Sequence, residues 1–208
     1  MNRRAVLPAV ATALLLLAGC ATTPAADGGG RTGSPVSATS RVKVDTPALR
    51  AAKRRAGIEN CPRTPARPGA SLPSVTLPCL GGGRDVDLAR LRGPMVINLF
   101  AQWCGPCRGE LPYYQELSKK AKGKVKVLGI DYLDTLPDRA LQLAKQTGVT
   151  YPLLADPDAA VRLPFRVHGL PGVVFVDRSG RVTDLEYVSV QSYGQLRRLV
   201  QEHLGVRL

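Results

Sequence analysis

Histidine is almost missing from this chain: His168 and His203 are the only two in 208 residues, and they lie far apart in sequence. A structural zinc site draws four ligands, commonly from two Cys-x-x-Cys pairs or from added histidines, and two distant histidines speak against one here. Cysteine is scarce as well, five in all, with a single Cys-x-x-Cys pair. Acidic residues number 16 against 29 Lys+Arg, a formal charge of +13. No internal repeat is visible, so a solenoid or propeller has no sequence support. After the first 19 residues no second long apolar segment occurs, and a polytopic membrane protein is excluded on that pattern.

The N-terminus sets the compartment. Arg3 and Arg4 precede VLPAVATALLLLAG, an apolar run ending at Gly19 and shorter than the roughly 20 residues that a membrane span needs. It reads as a cleavable secretory signal over residues 1–19. Leu17-Ala18-Gly19-Cys20 resembles a bacterial lipobox, in which the cysteine takes a diacylglyceryl group and becomes the mature N-terminus. An ordinary signal with a chance cysteine and a retained anchor helix are the alternatives. Residues 20–45 are rich in Gly, Ser, Thr and Pro; such a segment buries too little to offset its ordering entropy and reads as a flexible tether. Residues 46–208 then form one globular domain, expected as a monomer. For an exported protein the basic balance does not point to nucleic acid. Arg41, Lys43, Arg50, Lys53, Arg54 and Arg55 lie near the tether and suit anionic headgroups, or simply a solvated arginine-rich surface.

A coarse pass gives an α/β pattern. Thr46-Pro47 reads as an N-cap with proline at the first helical position and Gly57 as the stop, which predicts a helix over 47–56. SVTLPCLGGGRDVDL predicts two short strands around Gly81-Gly82-Gly83. Residues 95–101 are a continuous apolar run, the signature of a strand buried on both faces. Helices are expected at 104–121, 137–147, 158–166 and 192–204, and strands at 125–131, 173–177 and 182–188. Strand–helix alternation followed by an antiparallel pair and a helix makes an α/β sandwich.

Between the apolar strand and the next helix stands Trp103-Cys104-Gly105-Pro106-Cys107. At a strand–helix junction a Cys-x-x-Cys pair is set for redox chemistry. Cys104 falls at the helix N-cap, where free amide groups and the dipole stabilise a thiolate. Cys107, one turn on, faces inward and can resolve a mixed disulfide on Cys104. Trp103 forms an apolar shoulder. Haem attachment would need histidine after the second cysteine, where Arg108 stands. An inert staple and a metal clip are the remaining rivals.

NLFAQWCGPCRGELP together with GVTYPLLADPDAAVRLPFRVHGLPGVVFVDRSGRV resembles the TlpA/ResA-type branch of the thioredoxin superfamily, exported and membrane-anchored thiol–disulfide oxidoreductases. The resemblance runs from about Leu72 to the C-terminus. It implies a thioredoxin-like fold, a central mixed sheet flanked by helices, with an N-terminal strand pair and an inserted strand–helix segment at about 125–154. It implies a cis-proline at Pro171 that turns the Leu170 backbone toward an extended substrate. It also implies that Glu110 handles protons near the pair, with an ordinary solvated glutamate as the alternative, and that Pro112 is the proline of the active-site helix. Two positions depart from the wider pattern: Asn98 stands where thioredoxins place a buried aspartate, and Gly172 follows the cis-proline where threonine is common. No metal and no cofactor is expected.

Three pairings of Cys61, Cys79, Cys104 and Cys107 are possible. If Cys104 pairs with Cys107, Cys61–Cys79 remains, a bridge read as structural, with a second redox centre as the rival. The activity expected is reduction of disulfides in exported proteins, apocytochrome c among them, with electrons from a membrane thiol donor. A disulfide-introducing oxidase or isomerase is the alternative; a Cu(I) carrier using both thiolates is a non-enzymatic one.

Overall fold

The computed structural model describes residues 36–37, 41–63, 72–121 and 123–208. The signal segment, the lipobox with Cys20 and most of the expected tether lie outside the described residues. A small sheet pairs β1 (Val36–Ser37) in parallel with β2 (Val75–Leu77), and β2 in antiparallel with β3 (Val86–Asp87). The main sheet contains β4 (Met95–Phe100), β5 (Lys126–Tyr132), β6 (Leu153–Asp156), β7 (Gly172–Val176) and β8 (Val182–Glu186), in the order β6-β5-β4-β7-β8. β4, β5 and β6 run parallel, while β7 and β8 turn the far edge antiparallel. This is the mixed sheet of a thioredoxin-like fold.

Sequence periodicity explains how the sheet is covered. All six residues of β4 are buried. Val96 and Phe100 point into one apolar layer, Met95, Ile97 and Leu99 into the other, as the period of two requires. The first layer is roofed by four helices: α1 (Pro47–Ala56), α2 (Gly105–Lys120), α3 (Pro137–Gln146) and α4 (Tyr193–Leu204). The second is roofed by β2, β3 and the segment around Val161–Val167. A fully buried leucine contributes about 1.5–3 kcal/mol, and Leu99, Leu111, Leu117 and Leu128 are all exposed by 1% or less. The packed layers, not the disulfides, supply most of the stabilisation.

Helix ends follow their caps. The Thr46 hydroxyl accepts the Leu49 amide at 3.2 Å, Pro47 opens α1 and Gly57 closes it at φ 71°. Ser192 caps α4 in the same way, accepting the Gln195 amide at 3.1 Å.

Four features differ from the expectations. No helix forms over 158–166; the chain makes successive turns there, with Ala159 and Arg166 at positive φ. Asp156 takes the Ala160 and Val161 amides at 2.7 and 3.0 Å, and Pro164 has no amide to donate. β6 stands where the sequence pattern predicts no strand; it is only four residues long, all buried. Val44, within the expected tether, is buried, and its carbonyl accepts the Gly81 amide at 3.0 Å. Lys53, grouped with the surface arginines, is buried at 4% exposure. Among the described residues no helix is long and apolar enough to cross a membrane.

Candidate active site

The end of β4 and the start of α2 bring the cysteine pair together. Cys104 is the N-cap of α2, and its sulfur accepts the Cys107 amide at 3.3 Å. That single contact shows how the free amides of a helix start face the first sulfur. The two residues are disulfide-bonded, with Cα atoms 5.4 Å apart. Cys104 is 5% exposed and Cys107 fully buried, so an incoming sulfur meets Cys104.

Next to Cys104 in the chain stands an exposed aromatic ring. Trp103 is half exposed, and its indole N–H donates to the Leu133 carbonyl at 3.1 Å. Leu133 and Leu136 are exposed as well. Trp103, Leu133, Arg162, His168 and Leu170 help line a cavity of about 420 Å³. The Leu170–Pro171 peptide bond is cis, and β7 begins at the next residue, Gly172. His168 is exposed and packs its ring on Tyr187, centroids 3.7 Å apart.

The acid that the family resemblance implies near the pair is not a solvated glutamate. Glu110, one turn after Cys107 on α2, is fully buried. Its Oε2 accepts the Val190 amide at 2.9 Å, while Oε1 has no hydrogen-bond partner. Burial pushes its carboxyl up to about 8, against the ordinary 4.5, with the Val190 amide pulling the other way. Tyr114 and Tyr151 are buried beside it: burial first, then the Glu110 charge, raises both phenols well above 10. Tyr151 donates to Asn98 Oδ1 at 3.1 Å. Among the described residues the Asn98 amide nitrogen and the Tyr114 hydroxyl have no hydrogen-bond partner. Three of the four unpartnered buried side-chain atoms among the described residues thus belong to Asn98, Glu110 and Tyr114.

Sequence reasoning did not single out Asp131 and Asp134. Asp134 accepts the Gln102 amide at 2.8 Å and the Leu136 amide at 2.9 Å, holding the loop that carries Trp103. Asp131 is buried against it; burial, then the Asp134 charge, holds its carboxyl well above the usual range. The available signal was an aspartate ending the apolar run of residues 127–130. Of the expected site residues, Cys104, Cys107 and Glu110 are gathered at the start of α2, and Trp103 and Leu170 line one cavity. Cys61 and Cys79 are bonded elsewhere, with Cα atoms 5.9 Å apart, and both belong to the second apolar layer. Cys20 lies outside the described residues.

Comparison with known proteins gives a consistent result. Residues 68–185 match the AhpC/TSA family. The thiol:disulfide interchange protein DsbE of Pseudomonas fluorescens biotype C is 34% identical over 124 residues, 59% of this chain and 67% of that one. The thiol-disulfide oxidoreductase ResA of Bacillus cereus is 29% identical over 122 residues, 58% of this chain and 69% of the relative. The solved structure of dsbF from MTB superposes with a TM-score of 0.55 at 27% identity, covering 62% of this chain and 94% of the other. This chain belongs to the AhpC/TSA family and is a thioredoxin-like thiol–disulfide oxidoreductase.

Proposed function

We propose that the protein reduces disulfides of exported proteins at the outer face of a bacterial cytoplasmic membrane, held there by a lipid on Cys20. The observation that carries the reading is the division of labour within the pair. Cys104 is at the helix N-cap and reachable, and Cys107 is buried with Glu110 one turn behind it. In the reduced enzyme the Cys104 thiolate attacks a substrate sulfur, and the other substrate sulfur leaves with the bond's electron pair. Cys107 then attacks the Cys104 sulfur, releasing the substrate dithiol and forming Cys104–Cys107.

Cys107 must lose its proton before it attacks. A carboxyl titrating at about 8 lies close to an ordinary thiol near 8.5, so the proton passes between them at little cost in free energy. Asn98 carries no proton to exchange, and Glu110 is the acid that takes this role. Trp103 and Leu170 hold the substrate chain beside Cys104, with the backbone at Leu170 offering sheet-like pairing. Exported proteins with cysteine pairs are the substrate class, apocytochrome c the candidate that the family resemblance suggests, and a membrane thiol donor restores the dithiol.

Gly105-Pro106 between the cysteines supports the reducing direction, being the dipeptide of thioredoxin, whose potential is about −270 mV. The reduction potential of Cys104–Cys107, measured in defined thiol–disulfide buffers with Cys104→Ser as blank, tests it. A value below about −230 mV is expected, and one above about −150 mV makes the enzyme an oxidant.

A further inference from the structure

Lys53 sits in α1 with 4% of its surface exposed, and its ammonium lies 3.0 Å from Cys79 Sγ and 2.8 Å from the Gly82 carbonyl oxygen. No carboxylate among the described residues reaches it as an ion pair. Asp45, the acid it feels through space, is engaged on Arg50 by two hydrogen bonds. Burial lowers the lysine's pKa, with Asp45 opposing. An ammonium taken out of water without a counter-ion costs several kcal/mol, and a disulfide sulfur is a weak acceptor. A purely structural bridge gains nothing from a cation at this point.

We propose that Cys61–Cys79 is a second thiol–disulfide couple, reducible in the folded protein, with Cys61 as the attacked sulfur and Lys53 as the counter-ion of the Cys79 thiolate. The two ends of the bond are unlike. Cys61 is 8% exposed, in a stretch without regular structure, whereas Cys79 is 1% exposed and bridged to Leu154 of β6. Attack on Cys61 therefore makes Cys79 the leaving group, and a neighbouring cation speeds departure by stabilising the thiolate. Both reduced sulfurs have partners waiting: Lys53 for Cys79, and the Leu153 carbonyl oxygen, 3.3 Å from Cys61 Sγ, for a Cys61 thiol.

The turn Gly81-Gly82-Gly83 is shaped around this contact. A Cβ at Gly81 would stand 2.9 Å from Lys53 Cβ, and one at Gly83 3.4 Å from Cys79 Sγ. The reductant is a dithiol. Its first thiolate bonds to Cys61 Sγ as the Cys61–Cys79 bond breaks and the electron pair leaves on Cys79. Its second thiol displaces Cys61, which takes a proton, so one dithiol is oxidised and one disulfide reduced.

The test uses the full chain carrying Cys104→Ser and Cys107→Ser, so its outcome is independent of the first couple. Dithiothreitol reduction is quenched by alkylation, the Cys61 and Cys79 peptides are weighed, and circular dichroism reports folding. Reduction within a native spectrum is expected, and about tenfold slower reduction in the same chain with Lys53→Met. With glutathione and rapid alkylation, the mixed disulfide is expected on Cys61 and the alkyl group on Cys79. That readout stands even if Lys53→Met does not fold. A bond that opens only when the chain unfolds, an adduct on Cys79, or a folded Lys53→Met chain reduced at the unsubstituted rate would each overturn the proposal.

Discussion

The two disulfides are built on opposite electrostatic plans. Behind Cys104–Cys107 lies a buried acid, Glu110, with one oxygen unpartnered and its carboxyl pushed up to about 8. Against Cys61–Cys79 lies a buried base, Lys53, with no acid among the described residues paired to it. A neutral acid can lend or take a proton, which suits a sulfur that must be deprotonated each cycle. A cation can hold a thiolate in place, which suits a sulfur that must leave.

The sharpest way to break the comparison is at the first pair. Cys104→Ser is expected to abolish insulin reduction, while Cys107→Ser accumulates a mixed disulfide visible by mass. Glu110→Gln comes next. At neutral pH, rapid-mixing kinetics should show resolution by Cys107 slowed on the order of a hundredfold, with attack by Cys104 little changed.

Stability of the oxidised protein carries the same signature. Below about pH 4.5 both folded and unfolded chains hold the Glu110 proton. Between 4.5 and about 8 the unfolded chain releases it and the folded chain keeps it, so stability falls as pH rises and levels above 8. Urea unfolding at pH 5 and pH 8 should show the wild type losing on the order of a few kcal/mol across that range relative to Glu110→Gln.

Smaller effects belong to the second pair. Replacing Cys61 and Cys79 by alanine opens a closure of 18 residues and should cost about 3 kcal/mol, read by the same urea titration with insulin reduction retained. Gly81→Ala, at φ +73° and against Lys53, should cost about 1–3 kcal/mol. It should also alter the dithiothreitol rate at Cys61–Cys79 without touching the potential of Cys104–Cys107. A shift in that potential would show the two couples to be linked, not separate.

Local signals were legible wherever the determining neighbours lie within a few residues. Thr46, Pro47 and Gly57 mark α1 to the residue because capping is a matter of adjacent amides and carbonyls. The expected helix over 158–166 gives way to turns because Ala159 and Arg166 adopt positive φ and Pro164 has no amide to donate, and backbone signs of that kind are set by the packing of Val161, Phe165 and Val167 into the second apolar layer. The family resemblance places Glu110 near the pair and spacing groups Lys53 with the surface cations, but the burial of neither is legible, because helical periodicity reports which side a residue faces, not what closes over it. Glu110 is roofed by Val190, 80 positions on, and Lys53 meets a sulfur 26 positions on.

By itself the sequence determined the redox pair, its place at a helix start and the mixed α/β character of the chain. These follow from spacing, caps and the period of two in β4. Only the tertiary structure decided which ionisable groups lost their water. Desolvation depends on everything packed around an atom, and no short stretch of chain contains that information.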